Sequence, residues 1–207
     1  MKSFSSRIAT AITLVFFCLS TAQAQASDAC AQQKPYPEVL FPNLRFETSL
    51  GVFEVELDRQ RAPLTVDNFL RYVQAGRYNN TIFHRIVPGF VVQGGGYTPT
   101  YKEIPVCNPV FNESGNGLRN IEGTIAMARF DDPHSAASQF YFNLKDNDNL
   151  DPSPNRWGYA VFGYVTNGLD VLKKIASVKT GYHSELDAQN VPIQPVILKK
   201  ITLIDAL

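Results

Sequence analysis

Short runs of β-branched and aromatic residues, cut apart by glycine- and proline-bearing segments, constrain this chain more than any other feature. They are RFETSLGVFEVELD (45–58), FHRIVPGFVVQGGG (83–96), GTIAMARF (123–130), SQFYFNL (138–144), YAVFGYV (159–165) and VILKKITLI (196–204). Each is strand-length and strand-like in composition. In the first, Phe53, Val55 and Leu57 alternate with Glu54 and Glu56, so one face is buried and one wet, and Gly51 supplies the turn of a hairpin. Only two segments have helical spacing. One carries Val66, Phe69, Leu70 and Val73, with Pro63 near its start, Thr65 as the expected N-cap and Gly76 at its end; the other carries Leu169, Leu172, Ile175 and Ala176. Many short strands and two helices predict an all-β barrel or sandwich.

The N-terminus reads as a separate unit. Lys2 and Arg7 precede the apolar run IATAITLVFFCLS (8–20), and small residues follow in TAQAQA. That order predicts a secretory signal peptide over residues 1–26, cut after Ala24 or Ala26. The apolar run is too short for a comfortable membrane span, which disfavours the alternative of an uncleaved anchor. Residues 27–44 follow as an extended arm marked by Lys34-Pro35-Tyr36-Pro37 and Phe41-Pro42, and residues 45–207 form the main domain.

Charge and cysteine content narrow the partners. Without residues 1–26 the chain carries 17 basic and 19 acidic residues, a net charge of −2, and its only basic pairs are Lys173-Lys174 and Lys199-Lys200. Nucleic acid is therefore not an expected partner. Cys30 and Cys107 outlast processing. An exported chain can pair them, but two free thiols stay open as the alternative. His84, His134 and His183 lie far apart, and no CxxC, GxSxG or Walker motif occurs, so no metal or nucleotide cofactor is expected. The glycines of GNGLRNIEG (115–123) and of QGGG (93–96) lack the strand–turn–helix setting of a phosphate cradle and read as turns or close approaches.

Arg85 stands out. It sits among Phe83, Ile86, Val87 and Phe90, and no carboxylate lies nearby in sequence to pair with it. A guanidinium is a permanent charge with five donors, a poor base and a good electrostatic stabiliser. Beside Gln93 and aromatic groups it suits a reaction that needs polarisation without covalent attack, of which amide rotation is one.

FHRIVPGFVVQGGG, GTIAMAR, SQFYFNL and YAVFGYV, in that order, together with the hairpin and TVDNFL, resemble the cyclophilin family of peptidyl-prolyl cis-trans isomerases, and most of all its exported bacterial branch. The resemblance implies a mainly β fold, a closed eight-stranded antiparallel barrel capped by two α-helices, with its substrate groove on the outside. It implies an isomerase of X-Pro bonds in exported polypeptides, assisting folding; a proline-peptide-binding or holdase module with incidental activity is the alternative. It implies a monomer without cofactor, located in the periplasm, or secreted.

By the same resemblance Arg85 is the catalytic arginine, and Phe90 and Val91 floor the proline pocket. Gln93 bonds substrate and orients the arginine. Ala128 and Arg129 take the positions whose backbone pairs with an extended substrate, and Arg129, in place of asparagine, adds charge to the groove edge. Gln139 lines the groove. Tyr141 replaces the pocket phenylalanine, bringing a hydroxyl that needs a partner. Leu150 forms the rim, and Tyr159 takes the place of a pocket histidine. His84 matches the histidine beside the arginine, in a structural or a binding role. Asn149 stands where tryptophan favours cyclosporin, which implies weak binding of that drug. Trp157 near the rim has an open role.

Overall fold

The computed structural model describes residues 35–36 and 39–204. The signal segment, Cys30 and most of the arm lie outside the described residues. Among those described, no helix is long and apolar enough to cross a membrane.

Among the described residues, eleven strands and two α-helices follow in the order β1 (Asn43–Thr48), β2 (Val52–Leu57), α1 (Pro63–Gln74), β3 (Thr81–Phe83), β4 (Arg85–Val87), β5 (Val91–Gly94), β6 (Thr124–Met127), β7 (Phe140–Asn143), β8 (Val161–Asn167), α2 (Leu169–Ala176), β9 (Thr180–His183), β10 (Ala188–Pro192) and β11 (Val196–Ile204). Nine of them form one antiparallel sheet in the order β3-β11-β1-β2-β8-β6-β7-β5-β4, and β9 and β10 pair separately. The two ends of the large sheet, β3 and β4, are separated in sequence by His84 alone. They are two halves of one bent segment, the first bonded to β11 and the second to β5. The sheet is thus a nearly closed barrel. Its ninth strand arises because the bend at His84 divides a strand that the eight-strand count takes whole.

The interior is packed solid. Phe46, Phe53, Phe69, Phe140, Phe142 and Phe162 are fully buried or nearly so. Phe46 stacks on Phe53 with ring centroids 4.9 Å apart, and Phe53 meets Phe142 edge-on at 5.2 Å. Such ring pairs add to the large apolar area each ring removes from water. The helical stripe is placed as its spacing requires: Val66, Phe69 and Leu70 of α1 and Leu172 and Ile175 of α2 are buried in the same core. With the lumen filled by side chains, any substrate site must lie on the outer face.

Three local expectations change. Thr65 is not the N-cap of α1. The helix begins at Pro63, behind Ala62, and the cap is tertiary: Glu113 accepts hydrogen bonds from the N–H groups of Leu64 and Thr65 and from the Thr65 hydroxyl. Proline at the first position lacks an N–H, which shifts the orphan donors one residue onward. The run FHRIVPGFVVQGGG is two strands, not one, folded at Pro88-Gly89, where Gly89 takes φ 66°. The β9–β10 pair has no counterpart among the expected strands, because residues 180–192 lack the apolar alternation that marks a half-buried strand.

The described part of the arm is docked. Leu57 N–H donates to Pro42 O at 2.9 Å and Arg59 N–H to Leu40 O at 3.1 Å. β1 itself begins at Asn43, and Leu44 is fully buried. Cys107 is disulfide-bonded; the expected pairing with Cys30 reaches outside the described residues.

Candidate active site

Strand alternation divides the residues of β5, β6, β7 and β8 between two faces. Val92, Ile125, Phe140, Phe142 and Phe162 point into the barrel core. Their neighbours Val91, Ala126, Tyr141 and Val161 form a second apolar cluster with Leu150, against which Phe90, Leu118, Ala128 and Tyr159 pack. A shift of one residue in register would exchange the two sets. The pairing fixes it: Arg85 lies opposite Gln93, Gln93 opposite Tyr141, Tyr141 opposite Ala126, and Ala126 opposite Val161. This row crosses the outer face of the barrel from the cation to the apolar patch.

Arg85 is half-buried at the start of β4. Among the described residues it makes no ion pair with a carboxylate. Its Nη1 donates to Gln93 Oε1 at a long 3.4 Å, and its guanidinium carbon lies 6.0 Å from the ring centroid of Phe90. Gln93 is held in turn, its Nε2 donating to Gln139 Oε1 at 2.8 Å. Gln139 lies close against the glycine at 96, where a Cβ would stand 2.8 Å from Gln139 Nε2 and make that side chain shift. The close approach expected of QGGG therefore serves to seat the residue that holds Gln93.

His84 is 7% exposed, its ring edge against Tyr97 with centroids 4.8 Å apart. Burial lowers its pKa to about 4; a hydrogen bond with the Gln139 side chain opposes this, and the charge of Arg85 adds to it. The imidazole is thus neutral near pH 7. It lies under the site and not on its open face.

In the apolar patch Val91, Tyr141 and Leu150 are buried, and Phe90 and Tyr159 are half-exposed. Tyr159 stands edge-on to Tyr141 at 5.9 Å, and its N–H donates to Leu150 O at 2.9 Å. The Tyr141 hydroxyl has the partner that its burial requires: it donates to Asn120 Oδ1 at 2.8 Å. Desolvation raises its pKa well above the usual tyrosine value, the neighbouring Tyr159 and Asp151 reinforcing that. Phe140 and Phe142, the neighbours on either side, belong to the core.

Two contacts shape the groove edge. The Ala128 N–H donates to Gln139 O at 2.9 Å, so that one donor is engaged within the protein. Arg129 keeps its charge at this edge and is held there. Its guanidinium carbon sits 4.5 Å from the centroid of the Tyr159 ring, and it donates to the carbonyls of Phe130, Trp157 and Gly158 at 2.7, 3.0 and 3.3 Å. Trp157 itself packs on His134, with ring centroids 5.2 Å apart.

A second concavity of about 260 Å³ opens beside Gln93 and Gln139, walled by Ala128, Phe130, Glu103 and Ile104. Sequence reasoning passed over the 101–107 wall and Asn120, both of which lie in a long loop without periodicity. Among the described residues, no group of three or more His, Cys, Asp or Glu is placed to hold a metal ion.

The arrangement is a cation without an acid, a polar relay and an apolar shelf on the outside of a filled barrel. A family model described as cyclophilin type peptidyl-prolyl cis-trans isomerase/CLD matches residues 43–203. The chain is similar to peptidyl-prolyl cis-trans isomerase cyp18 of Streptomyces antibioticus, 48% identical over 164 residues, which are 78% of this chain and 98% of that protein. It is also similar to peptidyl-prolyl cis-trans isomerase B of Escherichia coli (strain K12), 45% identical over 161 residues, 76% of this chain and 97% of that one. Among solved structures, a Cryptosporidium parvum cyclophilin type peptidyl-prolyl cis-trans isomerase, crystallised in the presence of the dipeptide ala-pro, superposes with a TM-score of 0.65 at 25% identity, covering 79% of this chain and 99% of that one.

Proposed function

The chain belongs to the cyclophilin-type peptidyl-prolyl cis-trans isomerases, and from that premise we propose that Arg85 is its catalytic residue and the shelf of Phe90, Val91, Tyr141, Leu150 and Tyr159 its proline pocket. The observation that carries this reading is the cross-strand row joining Arg85 through Gln93 to Tyr141. The Ala-Pro dipeptide used with the Cryptosporidium relative is in keeping with a proline ring on such a shelf.

The chemistry follows from the amide. Conjugation of the nitrogen lone pair with the carbonyl holds the bond planar, with a barrier of about 18–20 kcal/mol. As the bond twists, the lone pair localises on a pyramidal nitrogen. A guanidinium N–H aimed there stabilises the twisted state and not the planar one, which is the condition for acceleration. No proton need leave Arg85, and its fixed charge makes it unsuited to do so. The pocket holds the ring while the acyl side turns. A 10⁵-fold gain needs about 7 kcal/mol. One charge-assisted donor in a dehydrated setting, with the substrate held in place, is of that order.

Gln93, positioned by Gln139, bonds substrate and aims Arg85. Extended chain on the acyl side of the bond runs along the Ala128–Arg129 edge toward the concavity beside Gln139. His84, neutral and buried, supports this floor. Exposed Asn149 in place of an aromatic rim residue makes cyclosporin binding weak; titration calorimetry should show Asn149→Trp tightening it. The protein works as an exported monomer without cofactor, its signal segment removed, on X-Pro bonds of polypeptides outside the cytoplasm. Mass spectrometry of the mature chain checks the cut after Ala24 or Ala26.

The decisive experiment compares wild type with Arg85→Ala. Isomerisation kcat/KM should fall by about 10²- to 10³-fold while binding of an X-Pro peptide persists. Unaltered activity in Arg85→Ala would overturn the assignment.

A further inference from the structure

The glycine-bearing loop at 115–123 has at its centre a residue that the reaction so far leaves unused. Asn120 is fully buried. Its Oδ1 accepts from the Tyr141 hydroxyl at 2.8 Å and from Asn143 Nδ2 at 3.2 Å. Its Nδ2 donates to Asp151 Oδ1 at 3.0 Å and to Tyr159 O at 3.4 Å. Its backbone N–H donates to Asp151 Oδ1 at 2.7 Å, and its carbonyl accepts from Asn147 N–H at 2.7 Å. Every hydrogen-bonding site of the amide side chain is filled.

Those partners lead to four of the five residues of the apolar shelf, all but Val91. Tyr141 and Tyr159 are bonded to Asn120 directly. Leu150 is reached through Asn147, whose carbonyl accepts the Leu150 N–H at 2.8 Å. Phe90 is reached through the same residue, as Asn147 Nδ2 donates to Phe90 O at 3.1 Å. The four walls come from separate stretches of chain: the β4–β5 turn, β7, the turn at Asp148–Leu150 and the segment before β8. Asp151 is itself fixed from outside, its Oδ2 receiving Arg119 Nε at 3.0 Å.

We propose that Asn120 is the positioning residue of the proline pocket, holding its four walls at the spacing that a prolyl ring fits. A buried polar network with all its members satisfied rigidifies what it joins. Apolar contacts alone tolerate repacking and leave such walls free to close on each other. Neither of the two side chains nearest to it in size can replace it. Aspartate of the same shape lacks the Nδ2 donor and sets a like charge against Asp151, and leucine offers no bonds at all. The inference rests on the reading of the shelf as the proline site.

The test is kinetic. Asn120→Ala should raise KM for an X-Pro peptide about five- to tenfold, as expected for one or two lost buried hydrogen bonds. It should change kcat less than twofold, because neither Arg85 nor Gln93 bonds to Asn120. Assays run well below the melting temperature separate this from simple destabilisation, which changes the amount of folded enzyme and not KM. A cycle with Tyr141→Phe should be non-additive, the double variant no weaker than the worse single one. Unchanged KM in folded Asn120→Ala, or full additivity, overturns the proposal. Should Asn120→Ala fail to fold, Tyr141→Phe alone decides, since it removes one oxygen and keeps the ring: a raised KM upholds the proposal and an unchanged KM overturns it. Arg85→Ala run alongside keeps the two readings apart. If it retains full activity, the proline-site reading fails; if it is inactive while Asn120→Ala is normal, only the positioning role fails.

Discussion

The guanidinium of Arg129 lies over the ring of Tyr159, 4.5 Å from its centroid, and ties that ring's segment to the end of β6 through the carbonyls of Trp157 and Gly158. The arginine that adds charge to the groove edge also acts as a strut between two loops. Arg129→Ala should cost about 1–2 kcal/mol of stability, discounted for its partial exposure. It should also raise KM by loosening Tyr159. Arg129→Lys should not rescue, because a single ammonium cannot reach several carbonyls and stack on the ring at once. Urea titration and peptide kinetics on both variants check this.

The relay Arg85–Gln93–Gln139 makes a graded prediction. Gln93→Ala should lower kcat about ten- to a hundredfold by letting the guanidinium drift from its line of approach. Gln139→Ala acts one step further away and should lower it less. The double variant should fall short of the product of the two, since both act through the same donor. Single-turnover isomerisation rates on the three variants provide the measurement.

Buried His84 sets a pH window for stability. Its pKa in the folded protein is about 4, against an ordinary value of 6.5, with burial the main cause. Between these values the unfolded chain binds more protons than the folded one, so stability rises with pH across the window and falls as pH drops from about 6.5 to about 4. The full span corresponds to about 3 kcal/mol. His84→Gln should flatten this limb in denaturant titrations at a series of pH values. A limb of unchanged slope would mean that other groups cause it.

Arg59 is a buried clamp on the arm. It pairs with Asp67 at 2.9 Å, and its remaining donors reach the carbonyls of Pro35, Tyr36 and Val39. Arg59→Met leaves Asp67 without its cation and the three carbonyls without donors. Removing one partner of a buried pair costs about 3–5 kcal/mol. Thermal unfolding of the variant should show a loss of that size, with faster proteolysis ahead of Pro42.

How far the sequence reached depends on which interactions set each feature. The hairpin, the stripe of α1 and the runs that become β6, β7, β8 and β11 were legible because alternation and helical spacing are local consequences of burying one face. Arg85 and Gln93 were legible for another reason, as a charge without a nearby acid and as parts of a motif that resembles a known family, while the hairpin that pairs them emerged only with the fold. The Glu113 cap of α1, the strut of Arg129 and the acceptor for the Tyr141 hydroxyl were not. Each joins residues that are remote along the chain, in loops that carry no period.

By itself, then, the sequence determined the inward face of the hairpin and of α1, while the outside groove was what its resemblance to a family implied. It also carried the unpaired arginine and the glutamine beside it. Only the tertiary structure decided the division of strand 81–87 at His84, the near-closure of the barrel and the frame that Asn120 builds around the shelf. The physical reason is one of range. Burial patterns are written residue by residue, whereas the partner of a buried polar group is whatever the closed barrel brings to it.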